Sequence, residues 1–557
     1  MQDARRFLVR ARGTSKHSKQ QAASSKQQAA SSKQQAKSRN KKEMPPNQGI
    51  LDGGGQWEET KDELYYDNLS SASSDGSLSP IGSLKSIPAG GGKSFLGRAA
   101  SSLLWRARSP QTARGDLRRT AYLDGVRGFA AFMVYLQHHQ LWAHSQKDHN
   151  VLESSFGTNG QVYLATLPGV RAFFIGGHFA VAIFFIISGY VLSTKPLSLI
   201  HAGDHGRLSE NVGSALFRRW LRLYIPLIVT TFAFMAFWNV SRIWVYGMVH
   251  EKTFRDELWR WYSEGKNFTF VFTQGGDPWF RYNPHLWSIP AEFKGSVVVY
   301  TTLIALSRCT RNARLLCMVG LMYYFMYIAD GWYGAMFVMG MFQCEIDLLS
   351  ARGELPSLLA RYSGVGPVKK LVMWHLFALA VYLGGVPSHD LKIETLRTNR
   401  GWYYLSFLKP QAVFDYKWFY LFVAASIAIA VIPRLPPLKR FFETRFCQYL
   451  GRISYGLYLA HGPIIWLVGD RIYTAAGWHG EEQVKNLPGW VDKFPLPKTG
   501  PFGMELGYLL PHLVLLPLTL WVSELVTRFV DEPSVRFSQW LYGKTLAPKP
   551  IKAIGEA

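Results

Sequence analysis

The fold is decided by the stretch Asp124-Gly-Val-Arg127-Gly-Phe-Ala-Ala-Phe-Met-Val-Tyr-Leu-Gln-His138-His139, an otherwise apolar run that carries an acid, a guanidinium and two imidazoles. From Arg127 to His138 the chain advances eleven residues, which on an α-helix returns to within about 20° of the starting direction and rises about 16 Å. Asp124 lies near the same line. Because ionisable groups are costly in hydrocarbon, this stripe must face protein, a cavity or a ligand. We therefore expect a functional site along it.

Long uncharged segments continue through most of the remaining chain. Of the 557 residues 48% are hydrophobic, and most uncharged segments reach the ~17 to 25 residues needed to cross a bilayer. These segments lie between Arg127 and Lys147, Arg171 and Lys195, Arg222 and Arg242, Lys370 and Asp390, Lys417 and Arg434, Arg452 and Asp470, and Glu505 and Glu524. Weaker apolar segments occupy 285–307, 315–329 and 331–349. The sequence therefore predicts an all-α fold, a polytopic membrane bundle of about ten transmembrane helices.

Basic residues are concentrated in alternate connections between the predicted spans. Lys and Arg collect in the short cytoplasmic loops of membrane proteins. The basic connections follow spans two, four, six and eight and contain Lys195, Arg207, Arg218, Arg219 and Arg222, then Arg308, Arg311 and Arg314, then Arg352, Arg361, Lys369 and Lys370, then Arg434, Lys439, Arg440 and Arg445. This alternation predicts that both the N- and the C-terminus face the cytosol.

The net charge of +24 is explained by this topology and by a basic tail near anionic lipid, so we expect no nucleic-acid partner. Residues 1–117 are predicted to be a disordered, low-complexity cytosolic tail, since the repeat Ser18-Lys-Gln-Gln-Ala-Ala-Ser carries no large apolar residue in any register. Residues 118–540 are predicted to form one membrane-embedded domain. Residues 541–557 are predicted to be a short cytosolic tail.

Four separated stretches of the membrane domain together resemble one protein family. They are Tyr122-Leu-Asp-Gly-Val-Arg-Gly with His138, Phe184-Phe-Ile-Ile-Ser-Gly-Tyr190, Leu286-Trp-Ser-Ile-Pro-Ala-Glu-Phe293, and Leu450-Gly-Arg-Ile-Ser-Tyr-Gly-Leu-Tyr-Leu-Ala-His461. In order and spacing they are similar to the integral membrane O-acyltransferases of the acyltransferase-3 family, in a fungal-type form. The resemblance implies a ten-helix acyltransferase domain, acyl-CoA as donor substrate without a permanently bound cofactor, and a hydroxyl-bearing small-molecule, lipid or carbohydrate acceptor. Similarity to fungal forms suggests the endoplasmic reticulum, another endomembrane or the plasma membrane.

Two residues are candidates for the catalytic step. A neutral imidazole such as His138 can take the proton of an alcohol that attacks a thioester, and the resemblance implies this role for the Arg127–His138 spacing. The alternative is a histidine that only bonds neighbouring helices. Glu292 lies at a comparable predicted depth, so a carboxylate–imidazole partnership with His138 is geometrically feasible.

Arginines at the cytoplasmic side are candidates for binding the phosphates of coenzyme A. Arg219 and Arg222 are three residues apart and present two guanidiniums from one helix face. Arg127 is the third candidate, although an ion pair between Asp124 and Arg127 would equally explain both residues. The alternative for Arg219 and Arg222 is that the general enrichment of basic residues on the cytoplasmic side of membrane proteins places them at that side.

Five further residues are candidates for substrate binding. They are Asp124, Trp287, Ser454, Tyr458 and His461. The last three recur at spacings of four and three and form one polar stripe on span nine, where they either bind the acceptor or bond neighbouring helices. Trp287 is either a stacking wall or an interfacial belt residue.

We expect no metal site, because the fifteen histidines include no His-Glu-x-x-His motif and the cysteines no Cys-x-x-Cys grouping. A secondary transporter is the alternative function, in which the same intramembrane ionisable residues form a substrate or proton path. Transporters often have repeated halves, and the sequence has no such repeat. The sequence therefore favours a membrane O-acyltransferase with His138 as general base.

Overall fold

The computed structural model describes residues 118–144, 152, 156, 162–270, 279–357, 360, 366–388 and 391–547. This part of the chain consists of helices and connecting loops and contains no strand, as the sequence predicts. The tail predicted at 1–117 and residues 548–557 lie outside the described residues.

The described α-helices differ widely in length. They are α1 (Ala121–His144), α2 (Arg171–Phe174), α3 (Gly177–Ala202), α4 (His205–Ser241), α5 (Phe254–Phe268), α6 (Ser288–Ala305), α7 (Arg311–Tyr327), α8 (Trp332–Ala351), α9 (Pro367–Gly384), α10 (Ile393–Thr398), α11 (Tyr403–Ser406), α12 (Lys417–Val431), α13 (Pro436–Phe442), α14 (Arg445–Ile464), α15 (Asp470–Ala476), α16 (Glu481–Asn486), α17 (Leu506–Leu509), α18 (His512–Val526) and α19 (Glu532–Thr545). Single 3₁₀ turns occupy Leu164–Thr166, Pro284–Trp287 and Ile432–Arg434, and π turns occupy Ile465–Gly469 and Thr527–Asp531.

Five continuous helical segments in the described part of the chain are long and apolar enough to cross a membrane. They are Gly177–Ala202, His205–Ser241, Trp332–Ala351, Lys417–Arg434 and Leu506–Thr545. Helix α1 has 24 residues, but its acid, guanidinium and imidazoles make it more polar than these five. The prediction of an all-α fold with membrane-length apolar helices is confirmed, and the count of ten spans stays a prediction.

Helix α3 lies at the centre of the bundle and contacts α8 backbone to backbone. A Cβ atom on Gly340 would lie 2.0 Å from the carbonyl oxygen of Ile186, and one on Gly189 would lie 2.0 Å from that of Phe337. Lipid tails are as apolar as leucine, so helices in a membrane associate through close packing at small residues. Around this pair, α3 also packs against α1, α6 and α12.

Helices α1 and α14 form a second close contact. A Cβ atom on Gly128 would lie 2.2 Å from the amide nitrogen of Gly451, and one on Gly451 would lie 2.4 Å from the carbonyl oxygen of Asp124. Ten residues farther along each helix, the rings of His138 and His461 stack with their centroids 5.1 Å apart. The two helices therefore run side by side in the same direction, and the glycine contact sets their register.

We expect Gly340→Ala to lower the melting temperature of the detergent-purified protein, because the new methyl group meets the α3 backbone and overpacking costs about 1–3 kcal/mol. Gly320→Ala is the matched control, since Gly320 lies on α7 with no atom within 4 Å of its Cβ position and alanine favours the helix by about 1 kcal/mol. Thermal unfolding followed by tryptophan fluorescence measures both. Equal melting temperatures for the two variants would contradict the close α3–α8 contact.

Candidate active site

Three histidines from three separate segments meet in the bundle. His138 lies on α1, His285 lies in the 3₁₀ turn before α6, and His461 lies on α14. The ring of His138 stacks on that of His285 with centroids 3.8 Å apart, and His461 lies 5.1 Å and 5.0 Å from these two rings. His461 is only 1% exposed, whereas His138 and His285 are half-buried. We call these three residues the histidine cluster; two of its imidazoles border open space.

Helix α14 holds the turn that carries His285. Pro463 has no N–H group to donate to the carbonyl oxygen of Leu459, four residues earlier, and the side-chain amide of Asn283 donates to that oxygen at 3.1 Å. The Tyr458 hydroxyl donates to the carbonyl oxygen of His285. The hydroxyl oxygen of Tyr458 in turn accepts a hydrogen bond from Ser288 Oγ at 2.7 Å. The proline inside α14 thus frees the acceptor that docks the turn.

Gly462 leaves the space that His285 occupies. A Cβ atom on Gly462 would lie 2.6 Å from His285 Nδ1 and 3.1 Å from Asn283 Oδ1. Real Cβ atoms do not approach other atoms to 2.6 Å, so any larger residue would displace the imidazole. Both residues of the Gly462-Pro463 pair therefore help to position His285: Gly462 leaves space for its ring, and Pro463 frees the carbonyl oxygen that Asn283 binds.

Glu292 lies on α6 and binds an arginine. Its Oε1 atom accepts from Ser188 Oγ at 2.6 Å and forms a short salt bridge with the Arg219 guanidinium. Arg219 Nε donates to Ser296 Oγ at 2.9 Å. The Glu292 and Arg219 side chains are each 12% exposed. Among the described residues, the partners of Glu292 are thus Ser188 and Arg219.

The direct contact between Glu292 and His138 that the sequence suggested is not formed, because Glu292 faces Arg219 and His138 faces the other two histidines. A guanidinium is permanently charged and offers a carboxylate stronger hydrogen bonds than a neutral imidazole does. Arg219 is therefore the better partner for Glu292. The role of Glu292 in chemistry stays a prediction.

Arg127 and Asp124 form the ion pair that the sequence left open as an alternative. Asp124 Oδ1 lies 3.1 Å from Arg127 Nη2, which also donates to the carbonyl oxygen of Gly451 at 3.0 Å. Asp124 receives a second, longer contact of 3.4 Å from Arg118. Asp124 thus holds arginines in place where the sequence predicted a substrate contact.

The three candidate arginines occupy one level of the bundle, which we call the arginine layer: Arg127, Arg219 and Arg222. Arg127 interacts electrostatically with both Glu292 and Asp531. Arg222 interacts with Asp531. Every guanidinium of the layer therefore has a carboxylate neighbour, which lowers the cost of holding three cations within an apolar bundle.

The remaining predicted substrate residues have distinct surroundings. Trp287 lies inside the bundle, with its ring 5.7 Å from that of Trp418, and Trp418 stacks on Trp332 at 3.8 Å. Ser454 Oγ donates to the carbonyl oxygen of Gly451 on its own helix at 2.9 Å. The predicted stripe on α14 therefore divides, since Ser454 bonds its own backbone, Tyr458 fixes the turn of His285, and His461 joins the histidine cluster.

An apolar cavity borders the same helix. It has a volume of about 340 Å³ and lies between α4, α14 and α18. Leu459 and Ala460, which directly precede His461, line it together with Phe234 and Phe237. None of the three histidines lines this cavity.

His285 is the cluster residue that sequence reasoning missed. It stands alone in a short turn, and neither a helical stripe nor a ligand-spacing rule selects it. The available signal was its position directly before the third stretch of family resemblance, which begins at Leu286.

We expect Glu292→Gln to lower stability strongly, because it leaves the Arg219 guanidinium without its counter-charge in a nearly closed site, at a cost of about 3–5 kcal/mol. The control is Glu524→Gln, which breaks the salt bridge of Glu524 with Arg452. Those two side chains are 30% and 32% exposed, so the expected cost is below about 1 kcal/mol. Thermal unfolding in detergent compares the two variants. Equal losses would contradict a specifically buried Glu292–Arg219 pair.

Comparison with known proteins supplies the family. Residues 120–524 match the acyltransferase-3 family, described as an acyltransferase domain. The O-acetyltransferase PaAT-1 of Phomopsis amygdali is 29% identical over 471 residues, which cover 78% of this chain and 86% of the relative. Acyltransferases of a Phoma species and of Cochliobolus lunatus are 24% and 23% identical over 478 residues, which cover 76% of this chain and 96% of each relative. No solved structure matches. The chain belongs to the acyltransferase-3 family and is an acyltransferase.

Proposed function

We propose that this enzyme transfers an acyl group from acyl-CoA to a hydroxyl group of a small-molecule, lipid or carbohydrate acceptor, with His138 as general base. One observation supports this most directly: His138 is a half-buried imidazole deep between α1 and α14, and its described ring neighbours are other imidazoles. Transfer to oxygen is also the activity that the name of the Phomopsis relative states. The family favours this function over the secondary transporter.

The chemistry needs one proton acceptor and no permanently bound cofactor. His138 takes the hydroxyl proton as the acceptor oxygen attacks the thioester carbonyl carbon. The tetrahedral intermediate then collapses, the carbon–sulfur bond breaks, and the imidazolium returns the proton to the sulfur of coenzyme A. An ester and free coenzyme A are the products.

The arginine layer is the proposed binding site for the donor. Guanidinium forks match phosphate oxygens, and Arg127, Arg219 and Arg222 each keep part of their surface exposed. Glu292 fixes the Arg219 guanidinium, so its proposed contribution is to position this arginine. Asp124 does the same for Arg127.

The acceptor is proposed to bind at the level of the histidine cluster. Trp287 offers an aromatic wall there, and His461 offers an imidazole beside His138. Tyr458 and Ser454 support this side through their hydrogen bonds. The cavity of about 340 Å³ next to His461 fits an apolar part of a substrate.

The proposed orientation places both termini in the cytosol, so that the arginine layer faces cytosolic acyl-CoA. The basic residues of the first half of α4, among them Arg219 and Arg222, support this side. The membrane is proposed to be the endoplasmic reticulum, another endomembrane or the plasma membrane.

His138→Gln should reduce kcat by about 10²–10⁴, because the attacking hydroxyl loses its general base. The assay uses the purified full-length chain, labelled acetyl-CoA and a panel of sterol, polyol, sugar and phenol acceptors, and detects labelled ester and free coenzyme A. His375→Gln is the control, since His375 is an exposed histidine of α9 and its loss should leave turnover unchanged. A folded His138→Gln protein with full turnover would overturn the mechanism.

Arg222→Gln should raise the KM for acetyl-CoA about 10- to 100-fold and leave the KM for the acceptor unchanged, because a hydrogen bond to a charged group contributes about 1.5–3 kcal/mol. Arg218→Gln is the matched control on the same helix. The Arg218 side chain donates to the carbonyl oxygen of Ser214 at 3.2 Å, so the Arg218→Gln enzyme should have an unchanged KM for acetyl-CoA. If both variants bind acetyl-CoA as tightly as the parent, Arg222 does not bind the donor.

A further inference from the structure

The ring nitrogen atoms of the histidine cluster lie close to one another. One ring nitrogen from each of His138, His285 and His461 lies within 4.8 Å of the other two. Tetrahedral Zn²⁺ with Zn–N distances near 2.0 Å holds ligand nitrogens about 3.3 Å apart and imidazole centroids about 5 Å apart. The two centroid distances of His461, 5.1 Å and 5.0 Å, already fit. The His138–His285 distance of 3.8 Å must widen by about 1 Å, which side-chain rotation allows.

His461 has the hydrogen bonding of a metal ligand. Its Nδ1 lies 3.1 Å from the carbonyl oxygen of Leu457; a carbonyl only accepts, so Nδ1 carries the proton and Nε2 carries the lone pair. Nε2 is buried and has no hydrogen-bond partner among the described residues. A histidine that binds a metal typically donates its other N–H to a backbone carbonyl or a carboxylate in this way.

Two more buried polar atoms at the cluster lack partners in the described part of the chain, His285 Nδ1 and Asn283 Oδ1. Both lie near Gly462, and both would be satisfied if His285 carried its proton on Nδ1 and donated it to the amide oxygen. His285 would then have the lone pair on Nε2, as His461 does.

The donor set selects the class of ion. The cluster consists of imidazoles, and the carboxylates of Glu292 and Asp124 are paired with arginines of the arginine layer. Imidazoles favour Zn²⁺ and similar transition-metal ions over Mg²⁺ or Ca²⁺, which require oxygen ligands. His138 and His285 are half-buried, so water would supply the fourth ligand of a tetrahedral ion.

We propose that His138, His285 and His461 form a binding site for a divalent transition-metal ion such as Zn²⁺, and that the bound ion blocks acyl transfer. The inference that the ion blocks acyl transfer rests on the proposed function, whereas the inference that the ion binds does not. A lone pair that coordinates a metal cannot accept a proton, so His138 cannot serve as base while the ion is bound.

Co²⁺ is the spectroscopic probe for the site. The full-length chain in detergent is stripped with a chelator and titrated with Co²⁺, whose tetrahedral complexes absorb visible light strongly and whose octahedral complexes absorb weakly. One equivalent should produce the tetrahedral band, and Zn²⁺ should remove it. Absence of the band in the folded protein would overturn the site.

Variants assign the signal to the cluster. His285→Phe and His461→Phe each remove one ligand and keep an aromatic ring, and each should abolish the tetrahedral band. Gly462→Ala keeps all three imidazoles but displaces His285, and should weaken Co²⁺ binding at least tenfold. His375→Phe is the surface control and should retain the band. A band that survives both cluster variants belongs to other residues and overturns the assignment.

Activity then tests the blocking. In the acetyl-CoA assay, one equivalent of Zn²⁺ should lower turnover of the chelator-treated protein at least tenfold, and excess chelator should restore it. Unchanged or higher turnover with a full site would overturn the blocking. A protein that gives the Co²⁺ band but transfers no acyl group without metal would overturn the proposed function and the blocking, while the site stands on the spectrum alone.

Discussion

The close contact between α1 and α14 is the constraint on which the rest of the structure depends. Gly128 and Gly451 allow the two backbones to touch, and in a membrane such packing replaces the hydrophobic effect as the force between helices. The contact brings Arg127 to the Gly451 carbonyl. Ten residues later, about 15 Å along each axis, it brings His138 to His461. One pair of glycines thus aligns the arginine layer and the histidine cluster.

Acidic groups are distributed unevenly between these two levels. Asp124, Glu292 and Asp531 all interact with the arginine layer, whereas the aromatic rings that contact His138 in the described part of the chain are imidazoles. Paired charges make three guanidiniums tolerable inside an apolar bundle. The histidine cluster needs no such compensation, because an imidazole can be neutral. Arg127 and His138, one from each level, are therefore held apart on one helix.

The sequence predicts what depends on a single helix and misses what depends on contacts between segments. Helical periodicity alone places Asp124, Arg127 and His138 on one face, and charge alternation points to Arg219. The partner of Glu292 was not predictable, because Ser188 and Arg219 come from helices that are distant in the chain. The count of ten spans stays a prediction, since five segments in the described part of the chain have the length and apolarity of a membrane helix.

His285 illustrates why the missing part of the site is tertiary in origin. No local sequence pattern singles out an imidazole in a 3₁₀ turn. The Gly462-Pro463 pair of α14, however, indicates where another segment can bind this helix. Pro463 withholds the N–H that would bond the Leu459 carbonyl, and Asn283 takes that oxygen. Gly462 removes the side chain that would fill the position of His285. Gly462 and Pro463 lower the stability of α14 as a helix, and the same two residues allow His285 to join the cluster. The hydrogen bonds of the docked turn offset the cost in helix stability.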